Sequence, residues 1–119
     1  MVDPLFSLVI PAYNPGTDLV RTWDKLLPFL DMQRRRWEVI FVCDGCRDGS
    51  DMALLSWKRD CHHNIRVLRS RTNRGKGHAV RRGLLRARGD FRIFTDVDLA
   101  YSLEMVHMVA NQLTCGDDV

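Results

Sequence analysis

Two continuous apolar runs constrain the fold of this chain more than any other feature of its sequence. One spans Leu5 to Ala12 and the other spans Trp37 to Cys43, and both are apolar at nearly every position. Runs of this kind are typical of strands that a parallel sheet buries on both faces. Ile65 to Leu68 and the stretch from Phe91 to Asp98 complete a predicted set of four strands.

Helical periodicity follows each predicted strand. The apolar positions expected on the inner faces of the four helices are Leu19, Val20, Trp23, Leu26, Leu27 and Leu30; Leu54, Leu55 and Trp57; Ala79, Val80, Gly83, Leu84 and Ala87; and Leu103, Val106, Val109, Ala110 and Leu113. Strands that alternate with helices imply right-handed crossovers. We therefore predict an α/β fold with a mostly parallel sheet and helices on both faces.

Local signals predict where several elements begin and end. Pro11 is expected to stop ladder pairing, Pro28 to bend or end the first helix, and Gly89 to stop the third. The remaining predicted boundary residues are Thr17 or Asp18 as the cap of the first helix, Asp48 or Ser50 as the cap of the second, and Ser102 and Gly116 as the start and end of the last.

Composition limits the chain to one compact domain. Hydrophobic residues make up 45% of the 119 positions, which is enough to build a core. Lys and Arg number 18 against 15 Asp and Glu, and the formal charge of +3 suits phosphate-bearing ligands without singling out nucleic acid. No secretory signal or apolar run of membrane-spanning length is evident, so we expect a soluble, cytoplasmic chain.

Polar residues follow every predicted strand. They are Tyr13 and Asn14, then Asp44, then the loop from Arg69 to Lys76, and finally Asp96 and Asp98. The carboxyl ends of parallel strands share one edge of the sheet, where open α/β sheets bind their ligands. A pair of carboxylates one residue apart suits Mg²⁺ or Mn²⁺, although a turn with a helix cap is the alternative for a lone pair. The shared edge favours a single site for a nucleotide diphosphate and its metal.

Spacing argues against two common phosphate-binding motifs. Gly75 and Gly77 are followed by Val80 where a dinucleotide fingerprint requires Gly, and Lys76 lacks both the glycine lead and the following Ser or Thr of a P-loop. The two glycines still allow backbone N–H groups at a helix start to approach a phosphate, with Lys76 as a point charge. The alternative for Lys76 is an exposed lysine in a first helical turn.

The cysteines leave a further interpretation open. Cys43 and Cys46 form a Cys-x-x-Cys, which could be a redox pair or half of a zinc site completed by Cys61 with His62 or His63. The sequence has no second Cys-x-x-Cys, and neighbouring ligands at 61 and 62 would be awkward. We therefore favour buried or incidental thiols in a reducing compartment.

Four segments together resemble the family 2 glycosyltransferases of GT-A fold. They are Val9-Ile10-Pro11-Ala12-Tyr13-Asn14, Asp44-Gly45-Cys46-Arg47-Asp48-Gly49-Ser50, Asn73-Arg74-Gly75-Lys76-Gly77 and Phe94-Thr95-Asp96-Val97-Asp98-Leu99. Their order and spacing match along nearly the whole chain. Within the family, the chain looks most like the polyprenyl-phosphate sugar transferases, which are similar to dolichyl-phosphate glucosyl- and mannosyltransferases. The resemblance implies a Rossmann-like sheet that forms the N-terminal half of the GT-A fold.

The resemblance also implies roles for individual residues. The implied nucleotide-binding residues are Pro11, Ala12, Tyr13, Asn14, Asp44, Lys76 and Asp96, and the implied metal ligands are Asp98 and Asp96. Asp44 would accept a hydrogen bond from the base, and Asp98 is expected to bind the metal more directly than Asp96. The implied donor is a UDP- or GDP-sugar, the cofactor is Mg²⁺ or Mn²⁺, and a hexose would pass to a polyprenyl phosphate in one inverting displacement.

Two departures from the family pattern qualify these expectations. Pro15 stands where the family often has Glu, so one nucleotide contact is missing or has moved to Asp18, and Cys43 replaces a usual Asp. Residues 1–119 are expected to form the donor-binding half, truncated before the acceptor half. The catalytic base belongs to that acceptor half, so the resemblance places it downstream of Val119 and gives no residue of this chain that role.

The resemblance leaves two expectations about the setting of the protein. A lipid-phosphate acceptor would bring the full protein to the cytoplasmic face of a membrane. The alternative function is a non-catalytic nucleotide-sugar-binding or self-associating module that lacks the acceptor half. Such a module would form homo-oligomers through an open sheet edge.

Overall fold

Strands and helices alternate without exception in the computed structural model, which describes residues 3–98 and 102–115. In chain order the elements are β1 (Leu5–Ala12), α1 (Thr17–Asp31), β2 (Arg36–Asp44), α2 (Ser50–Arg59), β3 (Asn64–Ser70), α3 (Lys76–Arg86), β4 (Phe91–Phe94) and α4 (Ser102–Cys115). The predicted alternation is confirmed. Gly116, the predicted end of α4, and Val119, after which the catalytic base is expected, lie outside the described residues.

The four strands form one parallel sheet in the order β3-β2-β1-β4. The two continuous apolar runs become its central strands, and nearly every residue of β1 and β2 is buried, as the sequence predicts. The edge strands β3 and β4 are partly exposed. β4 has only four residues and ends at Phe94, before the predicted limit at Asp98, so both aspartates of the Asp-x-Asp lie in the loop beyond it.

Pro11 does not stop ladder pairing. β1 pairs with β2 from Leu5 opposite Arg36 to Ala12 opposite Cys43, and Pro11 lies opposite Val42 within that ladder. On the other side, pairing with β4 already ends at Val9. Because proline has no N–H to donate, it is tolerated where a strand has a neighbour on one side only.

Helices cover both faces of the sheet, as predicted. One core contains side chains of α1, α2 and α4 packed on a single face, with Phe6, Phe41 and Leu54 fully buried. A second, smaller core packs α3 against Val9 and Ile40 on the opposite face. Gly83 permits this contact, since a Cβ there would lie 2.3 Å from Val9 Cγ1. The sheet is therefore held from both sides, with its carboxyl edge left for the loops.

Glycines, rather than the predicted polar residues, occupy the N-cap positions of the first two helices. Gly16 precedes α1 and Gly49 precedes α2, and neither helix start has a side-chain bond from its own cap. Asp48 performs part of that role from one residue further back, because its carboxylate accepts hydrogen bonds from the N–H groups of Ser50 (3.1 Å) and Gly16 (2.9 Å). One side chain thus serves two helix starts, and its second bond joins the β1–α1 loop to the β2–α2 loop.

Of the two outcomes predicted for Pro28, a bend or an end of α1, the structure excludes the end, because α1 continues to Asp31. Gly89 does not stop α3, which ends at Arg86 and is followed by Ala87 in extended conformation. Gly89 instead lies where the chain passes β1, since a Cβ there would be 2.4 Å from Ser7 Oγ.

Some predicted inner positions face solvent. Val20, Val109 and Leu113 are exposed, while Leu19, Val106 and Ala110 on the same helices are buried. Val20 follows Leu19 by one residue, a turn of about 100° around the helix, which carries it off the buried stripe. Within residues 3–98 and 102–115, no helix combines the length and the apolar character that crossing a membrane would need.

Candidate functional site

A cleft of about 480 Å³ lies at the carboxyl edge of the sheet. Its lining residues are Pro11, Ala12, Tyr13, Asp44, Asn73, Gly75, Lys76, Ala79, Asp96, Val97 and Asp98. They come from the ends of β1 and β2, the start of α3 and the loop after β4. The sheet order explains the gathering, because β1 lies between β2 and β4 and α3 packs over the same strands.

Asp44, the last residue of β2, organises one wall of this cleft. It is only 3% exposed, its Oδ1 accepts a hydrogen bond from Arg74 N–H (2.9 Å), and its Oδ2 accepts one from Gly75 N–H (2.9 Å). These bonds hold the loop that leads into α3. Each carboxylate oxygen has two acceptor positions, so Asp44 retains acceptor capacity for a ligand after both backbone bonds are made.

Close backbone approach keeps this loop in place. Gly45 has a φ of +73°, and a Cβ on it would lie 2.5 Å from the backbone nitrogen of Asn73. Glycine is the residue that accepts both the left-handed conformation and the contact. The Asp44-Gly45 pair therefore positions the loop in two ways, through hydrogen bonds and through the absence of a side chain.

Asn73 is a lining residue to which the sequence analysis gave no role. Its Oδ1 accepts a hydrogen bond from Gly75 N–H two residues later (2.8 Å), which shapes the turn before α3. Asparagine two residues before a glycine at a helix start is a recognisable turn signal. That signal could have identified Asn73, whereas Ala79 and Val97 line the cleft for reasons that no local pattern reveals.

Lys76 and Asp96 contact each other at the mouth of the cleft. The Lys76 ammonium binds Oδ1 of Asp96, and both side chains are largely exposed, at 60% and 63%. An ion pair this exposed contributes little to stability. The position of the pair is what matters for function. It brings a cation and a carboxylate together beside Asp98 in the lining of the cleft.

The loop after β4 carries the chemistry that a divalent cation requires. Asp96 and Asp98 supply carboxylate oxygens, the donors that Mg²⁺ and Mn²⁺ prefer, and both line the cleft. Oδ1 of Asp96 already holds a positive charge, that of Lys76. The chemistry of these two side chains therefore fits a hard divalent ion.

Asn14 is the one predicted nucleotide-binding residue outside the cleft lining. Its side-chain Oδ1 accepts a hydrogen bond from Arg47 N–H (2.8 Å), and its own N–H is directed to Cys46 Sγ (3.4 Å). It has a positive φ of 44°. Asn14 thus joins the loop after β1 to the loop after β2. Asp18, the suggested substitute contact, pairs with Arg21 and is also outside the lining.

The Cys43 and Cys46 thiols are unsuited to thiolate chemistry. Burial, followed by the nearby Cys46 sulfur, raises the pKa of Cys43 to about 12. Burial also raises the pKa of Cys46 above its usual value. The Cys46 thiol donates to the carbonyl of Ala12 at 3.4 Å, so it helps to join the first two strand ends. These observations favour the expectation of buried thiols over the redox interpretation. Among the described residues, neither cysteine belongs to a group of three or more potential metal ligands.

Comparisons with known proteins agree with this arrangement. The model of the family described as Glycosyl transferase family 2 matches residues 7–119. Among curated relatives, the dolichyl-phosphate beta-glucosyltransferase of Dictyostelium discoideum is 34% identical over 82% of this chain and 32% of its own length. The enzyme of the same name from Drosophila melanogaster is 39% identical over 77% of this chain and 30% of its own. The chain spans about a third of the length of these relatives.

Solved structures give the same result for the fold. The mannosyltransferase PcManGT from Pyrobaculum calidifontis, solved in complex with GDP-Man and Mn²⁺, superposes with a TM-score of 0.71 at 26% identity, over 82% of this chain and 28% of that one. S. aureus TarS 1-349 in complex with UDP-GlcNAc gives 0.65 at 26% identity, over 89% of this chain and 30% of that one. With the family model matching almost from end to end, the chain belongs to glycosyl transferase family 2.

Proposed function

We propose that this chain is the donor-binding part of a glycosyltransferase whose complete form moves a hexose from a UDP- or GDP-sugar to a polyprenyl phosphate. The observation that carries the proposal is the single cleft, which is lined by every residue singled out as nucleotide- or metal-binding except Asn14. The similarity to dolichyl-phosphate beta-glucosyltransferases supports the acceptor class and the sugar. The neighbours bound to GDP-Man and UDP-GlcNAc support the donor class.

The lining suggests how a nucleotide would lie in the cleft. Pro11, Ala12 and the half-exposed ring of Tyr13 offer an apolar surface to the nucleoside. Asp44 accepts a hydrogen bond from the base with the acceptor positions that the α3 loop leaves to it. The glycines at the start of α3 allow a phosphate to approach backbone N–H groups, where the helix dipole favours negative charge.

The residues at the mouth of the cleft would neutralise the negative charge of the donor's diphosphate. Lys76 contributes a positive point charge. Its ammonium pairs with Asp96 in this structure, and a bound phosphate would compete with Asp96 for that ammonium. Asp98 and Asp96 would hold a Mg²⁺ or Mn²⁺ ion, which when bound acts as a Lewis acid on the leaving nucleotide. Tyr13, Asp44 and Lys76 orient the donor for attack on its anomeric carbon by the acceptor phosphate in a single inverting displacement.

The catalytic base that activates the acceptor belongs, in this proposal, to sequence downstream of Val119. Among the described residues we assign none to that role. The dolichyl-phosphate beta-glucosyltransferases support this division, because the part of them that matches the chain covers only 32% and 30% of their length. Donor binding is therefore the activity that residues 1–119 can be tested for directly.

Metal-dependent donor binding tests this proposal. Isothermal titration calorimetry with UDP-glucose and with GDP-mannose, each with and without Mn²⁺, should give binding that the metal strengthens. Asp98→Asn should reduce the metal-dependent affinity by about 100-fold, because changing even a residue that only orients a metal ligand costs about 10–100-fold. Asp24→Asn, an exposed carboxylate on α1, is the matched control and should change nothing.

Two outcomes would contradict the proposal. One is the absence of any binding with either donor, and the other is equal binding by the native chain and by Asp98→Asn. Either result would revive the alternative of a self-associating module, for which β4 provides a short edge strand with Phe94 exposed. Sedimentation velocity would then detect homo-oligomers, and the cytoplasmic or membrane-surface location would need testing by fractionation of cells.

A further inference from the structure

Three potential metal ligands meet at the edge of the sheet opposite the cleft. Asp31 is the last residue of α1, and His62 and His63 lie in the connection from α2 to β3. Helices in this fold run back from the carboxyl edge, so the end of α1 and the start of β3 both lie at the amino edge. Nothing in the proposed donor site uses these side chains.

The three side chains are close enough to share one ion. His63 Nε2 lies 2.7 Å from Asp31 Oδ1, and His62 Nε2 lies 3.8 Å from the same oxygen. One ligand atom from each residue falls within 4.8 Å of the other two. In the part of the chain that the structure describes, this is the one group of three or more His, Cys, Asp or Glu that meets this criterion.

The separations between the ligand atoms lie close to those that a tetrahedral ion imposes, one shorter and one longer. Zinc binds nitrogen and oxygen at about 2.0–2.2 Å, which in a tetrahedron places neighbouring ligand atoms roughly 3.3–3.6 Å apart. The observed 2.7 and 3.8 Å lie on either side of that range. The side chains of Asp31 and His62 are 58% and 82% exposed, so they have room to rotate toward a shared ion.

The local charges also favour a cation. Asp31 places a carboxylate at the C-terminal end of a helix, where the dipole is already negative, and no basic residue stands in the last turn of α1. The two imidazole rings lie 4.1 Å apart beside this carboxylate, and an imidazole binds metals through a ring nitrogen.

We propose that Asp31, His62 and His63 form a binding site for a zinc ion, with water in the fourth position. Two imidazoles and one carboxylate suit zinc better than Mg²⁺, which prefers oxygen ligands only. The site differs from the zinc interpretation of the sequence, because Cys43 and Cys46 are at the carboxyl edge and make no part of it. A bound ion would join the end of α1 to the α2–β3 connection.

Titration of the whole chain with zinc, and with Co²⁺ as a visible reporter, tests the site. We expect one equivalent of zinc to bind, Co²⁺ to give the visible absorption of a tetrahedral complex, and zinc to raise the thermal midpoint. Asp31→Ala and His62→Ala alter exposed side chains and should each weaken binding by at least about 10-fold. His107→Gln, a histidine on α4 outside the group, is the matched control and should bind as the native chain does.

Further variants separate this site from the other candidates. Asp98→Asn should retain zinc binding, which makes the test independent of the proposed donor site. Unchanged zinc affinity in both Asp31→Ala and His62→Ala would overturn the proposal. So would loss of zinc in Cys46→Ser with retention in Asp31→Ala, since that pattern assigns the ion to thiols. Circular dichroism of each variant excludes unfolding as the cause of a loss.

Discussion

Carboxylates at the two edges of the sheet have opposite surroundings. Glu38, near the amino edge on β2, is 1% exposed and has all its partners within the chain. Asp96, beyond the carboxyl edge, is mostly exposed and shares an ion pair with an equally exposed lysine. The Glu38 charge therefore supports the fold, whereas the Asp96 charge remains accessible to a ligand.

The Glu38 network leaves no buried charge unsatisfied. Oε2 accepts hydrogen bonds from Ser7 Oγ (2.5 Å) and Arg88 N–H (2.6 Å), and Oε1 accepts one from Arg66 (3.3 Å). Gly89 N–H donates in turn to Ser7 Oγ (2.8 Å). Burial by itself would raise the pKa of Glu38, but these bonds and the Arg66 charge together lower it. The network ties β1, β2, β3 and the approach to β4 at one place.

The largest expected effect is the difference in unfolding free energy between a substitution of Glu38 and a substitution of Asp96. Glu38→Ala leaves the Ser7 hydroxyl, the Arg88 N–H and the Arg66 guanidinium without their shared partner, and should cost about 3–5 kcal/mol of unfolding free energy. Asp96→Ala should change it by less than about 0.5 kcal/mol, as is usual for exposed side chains. Urea unfolding measures both values. Equal losses of unfolding free energy in the two variants would show that the buried carboxylate is no more important for stability than the exposed one.

Glycine substitutions test how strongly the cleft depends on the backbone. Gly45→Ala would place a side chain in the left-handed conformation and would also make the new Cβ overlap the Asn73 backbone. The variant should lose about 2–4 kcal/mol of unfolding free energy and should bind the donor more weakly. Gly49→Ala is the matched control, because its φ is +86° but nothing lies within 4 Å of the added Cβ. It should cost about 1–2 kcal/mol and leave donor affinity intact. Similar losses of donor affinity in both variants would show that the close approach of Gly45 to the Asn73 backbone does not shape the cleft.

The exposed ion pair between Lys76 and Asp96 should matter for ligand binding and hardly at all for stability. Lys76→Gln should weaken UDP binding about 10-fold, because a charged hydrogen bond to phosphate is worth more than a neutral one. Stability should hardly change, since the pair with Asp96 is screened by solvent. Calorimetry with UDP and urea unfolding give the two readouts, and Lys25→Gln on α1 is the control. A stability loss without an affinity loss would reassign Lys76 to the fold.

The smallest expected effect is the pH dependence that Glu38 contributes. Its pKa in the folded chain lies below the ordinary value of 4.5, so the native state binds this proton less readily than the unfolded state. The associated stability is fully present above pH 4.5 and is lost as the pH falls through the lower folded value. Unfolding titrations in the acid range should therefore show a shallower decline for Glu38→Gln. An unchanged slope would contradict this assignment.

Much of the site was predictable because its elements are local in sequence. Each strand end carries its own polar signal, and parallel strands place such ends at one edge whatever their order. Asn14 shows the limit of that reasoning, since it follows β1 as expected but bonds to the Arg47 backbone instead of facing the cleft. The helix caps failed for a similar reason. Asp48 serves the starts of both α1 and α2 across a tertiary contact that no local pattern contains.

The strands, the helices and most of the polar residues at the carboxyl edge follow from the sequence alone, because apolar periodicity and strand-end chemistry are properties of short segments. Only the tertiary structure decided the order β3-β2-β1-β4, the Glu38 network and the meeting of Asp31 with His62 and His63. These features join residues about 30 or more positions apart. Their partners are selected by packing in three dimensions, where burial and hydrogen-bond satisfaction act on the whole chain at once.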